Sequence, residues 1–199
     1  MTSESEFDRQ IEALRGRLVG VEAPPRAILE NNSGAAAVLL PLMARAGEMH
    51  LVFIRRSDHV ASHRGQIAFP GGRLDPVDAT PLDAALREAH EEVGIIPASV
   101  DVLGALPTMR TVTSGIIVAP FAGVIRSDTQ LRRNPAEVAE IFDLPLSVLR
   151  DPAHRGDFEW SSGGRTAKFP AILYDHRTIW GLTYRITLDL LELLGGRPT

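Results

Sequence analysis

Arg87-Glu88-Ala89-His90-Glu91-Glu92-Val93-Gly94-Ile95 is the stretch on which the reading of this chain turns. It closes a segment whose ends are written in the residues. Thr80 is a good helix N-cap, Pro81 suits the first helical position, Asp83 favours the positive helix end and Gly94 is a natural stop. A helix of about three turns is expected between them. At about 100° per residue, Leu82, Ala85, Leu86, Ala89 and Val93 form one apolar stripe. Glu88, Glu91 and Glu92 form a second, roughly 120° away, predicted to face a cleft or solvent. Three acids in the last turns sit at the negative end of the helix, where each is disfavoured by up to about 1 kcal/mol, and they repel one another at i+3 and i+4. Arg87 can pair with Glu91 but cannot neutralise all three. A divalent cation turns the repulsion into coordination, with Glu88 and Glu92, one turn apart, offering oxygens to one ion or to adjacent ions. The alternative is a solvated acidic face, which Glu-rich helices commonly present.

Directly before this helix, Phe69-Pro70-Gly71-Gly72 forms a permissive loop able to bring backbone groups close to a phosphate or a metal. Upstream, Arg55, Arg56, His63 and Arg64 form a basic stretch, and guanidinium groups grip phosphate in bidentate fashion. A solvated strand end explains each of these residues equally well. His59 and His90 read as surface residues. Trp160, Trp180 and Tyr184 offer faces for a base, although core packing is the commoner use of such aromatics.

Composition bounds the chemistry. The 199 residues are 44% hydrophobic, enough for one proper core, so a single domain over 1–199 is expected. Its 21 Lys and Arg against 25 Asp and Glu leave a net charge of -4, without the basic field that polymeric nucleic acid requires. Cysteine is absent, which removes thiolate chemistry and leaves oxygen or imidazole to hold any metal, favouring hard ions such as Mg²⁺ or Mn²⁺. The acidic start Met1-Thr2-Ser3-Glu4-Ser5-Glu6 has no signal-peptide character, and no run is long enough to span a bilayer. A cytoplasmic protein is the expectation.

Phe7, Ile11, Leu14 and Leu18 have helical spacing and predict an amphipathic helix, ended by Pro24-Pro25, within an N-terminal helix and linker at 1–30. Ala35 to Met43 and Leu51 to Ile54 flank the turn-like Arg45-Ala46-Gly47-Glu48 and read as paired strands. Further strands are expected at Val100 to Leu106, Ile116 to Ile125 and Thr166 to Tyr174, the last after a Ser161-Ser162-Gly163-Gly164 turn. Leu182, Ile186, Leu190 and Leu193 predict a closing helix at 182–199. Asn134 to Arg150 reads equally as strand or helix. Strands and helices alternate without a doubly wound period, which is an α/β pattern.

Taken together, Gly72, Arg87-Glu88-Ala89, Glu91-Glu92 and Gly94-Ile95 resemble the Nudix box: Gly, five residues, Glu, seven residues, then Arg-Glu-apolar-any-Glu-Glu-any-Gly-apolar. Gly72 lies one residue further from Arg87 than in that pattern, and the early Glu falls on Ala79, with Asp75 and Asp78 the nearby acids. The coenzyme A pyrophosphatase branch of the family has the same longer loop, matched here by Gly71-Gly72-Arg73-Leu74-Asp75-Pro76-Val77-Asp78. That branch also carries an upstream motif similar to Arg56-Ser57 followed by Ser62-His63-Arg64-Gly65-Gln66-Ile67-Ala68-Phe69-Pro70, with Ala61 where the motif has Arg. The likeness continues through Thr113-Ser114-Gly115, Pro120, Leu144-Pro145-Leu146 and Ile179-Trp180-Gly181-Leu182-Thr183.

The resemblance implies an α/β/α sandwich around a mixed central sheet. It also implies attack of water on a pyrophosphate bridge, with charge screening by divalent metal as the protein's main contribution. Glu88 and Glu92, then Glu91, are the expected ligands, with the Gly72 carbonyl a further one, while Arg87 orients the acids. The general base falls to one of these glutamates or to Glu137 or Glu140, although Asn134-Pro135 also marks those two as ordinary helix-start carboxylates. Arg55, Arg56, His63, Arg64, Gly65 and Gln66 are the expected substrate contacts, and coenzyme A or an acyl derivative is the expected substrate. The alternatives are another nucleoside diphosphate derivative, such as ADP-ribose or a nucleoside triphosphate, or a non-catalytic nucleotide-binding domain. The expected partners are this small molecule and, at most, a second copy of the chain in a homodimer. Neither a nucleic-acid polymer nor a membrane is expected.

Overall fold

Ala46 and Gly47, with φ of 51° and 87°, make a two-residue turn whose twist suits a tight hairpin, and Arg45 faces Glu48 across it. The hairpin joins β1 (Ala35–Arg45) to β2 (Glu48–Arg56), which form the centre of a mixed sheet. The computed structural model describes residues 3–18, 20, 34–60, 62–111, 115–162 and 165–195. Pro24-Pro25, Ala61, Thr113-Ser114 and Gly163-Gly164 lie outside them.

Around the hairpin stand β3 (Ile67–Ala68), β4 (Gly71–Arg73), β5 (Asp101–Ala105), β6 (Met109–Arg110), β7 (Ile117–Val124) and β8 (Val138–Pro145). β1 pairs in parallel with β7 and antiparallel with β2 and β4. β2 carries β3 and β8, and β7 carries β5 and β6. The period of two along β1 sorts its side chains between two layers. Leu40 and Leu42 join the cluster that receives Ile11 and Leu14 of α1 (Ser3–Arg15), whereas Ala37, Leu39 and Met43 join the cluster under α2 (Pro81–Val93). The span read as strand or helix is both: β8 alternates against β2, and α3 (Leu146–Arg150) starts after Pro145.

Beyond the main sheet, β9 (Arg155–Ser162), β10 (Arg165–Tyr174) and β11 (Arg177–Trp180) form an antiparallel sheet of three strands. It leads into α4 (Gly181–Leu193), whose Ile186, Leu190 and Leu191 pack in the same cluster as α1. The helices thus cover both faces of the mixed sheet, as the α/β/α expectation requires. No helix among the described residues is long and apolar enough to cross a membrane.

The seat of α2 positions the acids. Ala84, Ala85 and Ala89 are fully buried and let the helix axis approach β1 and β4 closely, while burying Val93 contributes roughly 1.5–3 kcal/mol. Its N-terminus is closed by a capping box between Thr80 and Asp83, and Gly94 ends it at φ 75°.

Candidate active site

Glu92 does not lie on an outward acidic stripe; it is only 1% exposed. The reason is helical geometry: Glu92 comes seven residues after the buried Ala85, which rotates it only about 20° from that residue. Its carboxylate is held in the interior by the Gly71 N–H, 3.0 Å from Oε2, and by Arg56 Nη1, 3.3 Å from Oε1. Burial pushes its pKa up to about 7, against the opposing pull of the Gly71 N–H and the Arg56 charge. Burial likewise raises Glu88, although Arg87 opposes it.

A third acid completes the group. Carboxylate oxygens of Glu88, Glu92 and Glu137 all lie within 4.8 Å of one another. Glu137 arrives from a turn locked onto the end of α2: the Asn134 N–H donates to the Glu92 carbonyl at 2.9 Å, and the Ser57 N–H donates to the Glu137 carbonyl at 2.7 Å. Asn134 Oδ1 accepts from the Ala136 N–H at 3.1 Å, fixing the turn itself. Asn134-Pro135 read in the sequence as a helix start, whereas the structure makes a turn there that leads into β8, and only the fold shows that Glu137 meets α2. Three carboxylates, with two arginines paired to them and no sulfur, form a hard-oxygen donor set that fits a divalent cation.

Glu91 stands outside this cluster, half exposed, and accepts from Arg87 Nη1 at 3.2 Å. Arg87 has all of its N–H groups engaged. Nε and Nη2 each lie 2.9 Å from Asp78, Nη1 is 3.0 Å from Glu88 as well as bonded to Glu91, and Nη2 also donates to the Arg73 carbonyl at 3.2 Å. These carboxylates hold the guanidinium firmly protonated, the Asp78 hydrogen bonds being the largest cause. With no donor left over, the Arg87 guanidinium holds the Glu88 carboxylate in place. Asp78 is the partner that anchors it, buried at 3% exposure, whereas Asp75 makes the local turn through its backbone and through its carboxylate, which accepts from the Val77 N–H at 3.1 Å. Asp78→Ala should therefore destabilise the protein by on the order of 2 kcal/mol in urea unfolding and lower turnover by freeing Glu88. Unchanged unfolding and full activity would remove Asp78 from the support of the site.

Gly72 lies against the acid it was expected to accompany. A Cβ there would sit 2.4–2.6 Å from the Glu88 carboxylate atoms.

The basic stretch divides. Successive side chains on β2 leave on opposite faces, so Arg56 meets Glu92 while Arg55 lies 3.6 Å from Glu140 on the other side. A bulge in the β2–β8 pairing at this point skips one residue of β8. Burial works to raise Glu140, but the hydrogen bond and charge of Arg177, with His176, hold it below its ordinary value. Glu140 thus belongs to a separate ion cluster away from Glu137. Between β2 and β3, Arg64 Nε donates to the Val60 carbonyl at 2.8 Å and His63 Nδ1 lies 2.9 Å from Gln66 Oε1. The Gly65 N–H donates to the Arg56 carbonyl, and left-handed φ values at His63 and Gly65, 56° and 66°, bend this loop back onto β2. His63 and Arg64 are exposed, as are His59 and His90. Trp160 and Trp180 pack with Phe158 and Phe169 on the outer sheet.

Known proteins resemble this chain. The family profile of the NUDIX domain matches residues 33–162. A protein of Enterobacter sp. (strain 638) described as the uncharacterized Nudix hydrolase NudL is 38% identical over 167 residues, covering 84% of this chain and 86% of that one. Its counterpart in Photorhabdus laumondii is 39% identical over 169 residues, 85% and 89% of the two chains. Among solved structures, a MutT/nudix family protein from Enterococcus faecalis superposes with a TM-score of 0.55 at 13% identity, over 81% of this chain and 67% of that one. That likeness speaks for the fold alone. The profile match, the NudL relatives and the capped acidic helix agree: the chain belongs to the Nudix hydrolase family, and pyrophosphate-bond hydrolysis is the activity that membership implies.

Proposed function

We propose that the protein hydrolyses the pyrophosphate bond of coenzyme A or an acyl derivative, giving 3′,5′-ADP and the matching 4′-phosphopantetheine, with Mg²⁺ or Mn²⁺ as cofactor. The observation that carries the chemistry is the Glu88–Glu92–Glu137 cluster, which places three carboxylates within 4.8 Å of one another at the end of a buried helix. A divalent ion bound there supplies charge screening for the pyrophosphate and acidifies the attacking water. The chain does the rest by position. Glu88 and Glu92 form the ligand pair, with Glu91, which pairs with Arg87 outside the cluster, and the Gly72 carbonyl as the further oxygens the motif offers. Arg87 holds Glu88, and Arg56 with the Gly71 N–H holds Glu92. Glu137, whose carboxylate is engaged among the described residues only by a long 3.4 Å contact from Asn134, is the acid best placed to take the proton of the attacking water. The substrate reading rests on the likeness of Arg56-Ser57 and Ser62-His63-Arg64-Gly65-Gln66 to the coenzyme A pyrophosphatase motif.

Product mass analysis after incubation with coenzyme A, dephospho-coenzyme A, ADP-ribose and nucleoside triphosphates tests the assignment. Coenzyme A should be cleaved fastest; faster hydrolysis of ADP-ribose would transfer the assignment to another nucleoside diphosphate derivative. Absence of metal-dependent turnover on all of them would favour a non-catalytic nucleotide-binding domain.

Divalent metal should also raise the melting temperature, because the three acids converge only in the folded chain. At a concentration ten times its dissociation constant the ion contributes about 1.4 kcal/mol, a shift of a few °C. The shift should shrink in Glu88→Gln and in Glu137→Gln. Calorimetry with millimolar Mg²⁺ reads it, and an indifferent melting curve would argue against a preformed site.

A further inference from the structure

Two tandem arginine pairs occur in the chain, Arg55-Arg56 and Arg132-Arg133, and the fold treats them oppositely. The first is neutralised internally: Arg55 by Glu140 and Arg56 by Glu92. The second is exposed, and neither member has a carboxylate within ion-pair distance among the described residues. Its backbone is nevertheless fixed. The Arg132 N–H donates to the Val93 carbonyl at 2.9 Å, and a Cβ on Gly94 would lie 3.6 Å from Arg132. Arg133 Nη1 reaches the Val138 carbonyl at 3.3 Å, which brings its guanidinium to the residue next to Glu137 and leaves its other N–H groups without a partner among the described residues.

We propose that Arg132 and Arg133 form a subsite for a phosphate monoester on the nucleotide half of the substrate, outside the pyrophosphate bridge. The inference rests on the pyrophosphohydrolase reading and identifies which cations select the substrate. A dianionic monoester near three glutamates needs positive charge that is not already matched. Arg56 is held by Glu92, and Arg55 faces the other side of the sheet. The second pair stands at the rim of the acidic cluster on a segment held by hydrogen bonds to α2, so it offers charge without the need to order a loop first. Cations near a helix C-terminus also favour the helix electrostatically. That role changes melting temperature and leaves ligand discrimination untouched, so the two are separable.

Titration calorimetry on the metal-free protein with adenosine 3′,5′-bisphosphate and with AMP tests the subsite without turnover. The wild-type chain should bind the bisphosphate roughly tenfold or more tightly than AMP, and Arg132→Ala/Arg133→Ala should abolish that difference. Arg133→Lys should restore part of it. Equal affinity for the two nucleotides in the wild type, or a difference that survives in the double variant, would overturn the proposal. Steady-state kinetics separates this failure from failure of the underlying reading. If coenzyme A is cleaved and its preference over dephospho-coenzyme A persists in the double variant, the subsite alone is lost; if no pyrophosphate is cleaved, the reading itself falls.

Discussion

Glu92→Gln should lower metal-dependent turnover by about two orders of magnitude or more while the protein remains folded and loses most of the pH dependence of its metal-free stability. The first effect follows from removing a charge from the acidic cluster. The second follows from burial. The Glu92 carboxyl has an ordinary value of 4.5 and is raised to about 7 in the fold, chiefly because its surroundings exclude water. Between pH 4.5 and 7 the folded chain therefore binds more protons than the unfolded one. Stability of the metal-free protein falls as pH rises across that window, by on the order of 3 kcal/mol, and is flat above it. Burial raises Glu88 as well, which adds to the same slope. In the glutamine variant most of the slope should vanish, because the amide stays neutral and can still accept from the Gly71 N–H. A divalent ion matches the charge that high pH exposes, so its thermal shift in the wild type should be larger at pH 8 than at pH 5.5. Urea unfolding across pH, with and without Mg²⁺, reads all of this. A wild-type stability that rises over this pH range, or a variant that keeps full activity at saturating Mg²⁺, would refute the role given to Glu92.

Gly72→Ala should cost about a hundredfold or more in turnover with little loss of stability. The new methyl would lie 2.4–2.6 Å from the Glu88 carboxylate, but the group it meets is the end of a side chain that can swing aside. The helix then stays in place while the carboxylate leaves the position that Arg87 gives it. Its neighbour behaves differently. At Gly71 a Cβ would lie 2.3 Å from the Ala37 carbonyl oxygen and 2.6 Å from the Val38 Cα, and φ is 153°. There the obstacle is the backbone of β1, so Gly71→Ala should separate β4 from the sheet and destabilise by about 3 kcal/mol or more. Denaturation midpoints and kcat, measured on both variants, distinguish them. If Gly72→Ala retained wild-type kcat, close approach of that backbone to Glu88 would have no functional meaning.

The helix that carries the motif was legible before any coordinates because its cap, proline and terminal glycine are local signals, each acting within one turn. The hairpin around Ala46-Gly47 and the strands at Ile116 to Ile125 and Thr166 to Tyr174 were legible for the same reason, through short-range alternation. The strands β3, β4 and β6 were not, being two or three residues long and defined by the partners they meet rather than by their own side chains.

The sequence by itself determined the family, the mixed α/β architecture and the identity of the acidic helix. Only the tertiary structure decided which acids meet. Glu91 and Glu92 are neighbours in the chain, yet one pairs with Arg87 near solvent and the other is buried beside β4, because successive helical residues diverge by about 100°. Glu137 is 45 residues from Glu92 and joins it through the turn that hydrogen-bonds to the end of α2. Arg55 and Arg56 look like one basic patch in sequence, and the pleat of β2 sends them to opposite faces. Asp78, nine residues before Arg87, becomes its anchor because the loop between β4 and α2 folds back against that helix. Contacts of this kind depend on where separate elements lie against one another, and local propensity contains no information about that arrangement.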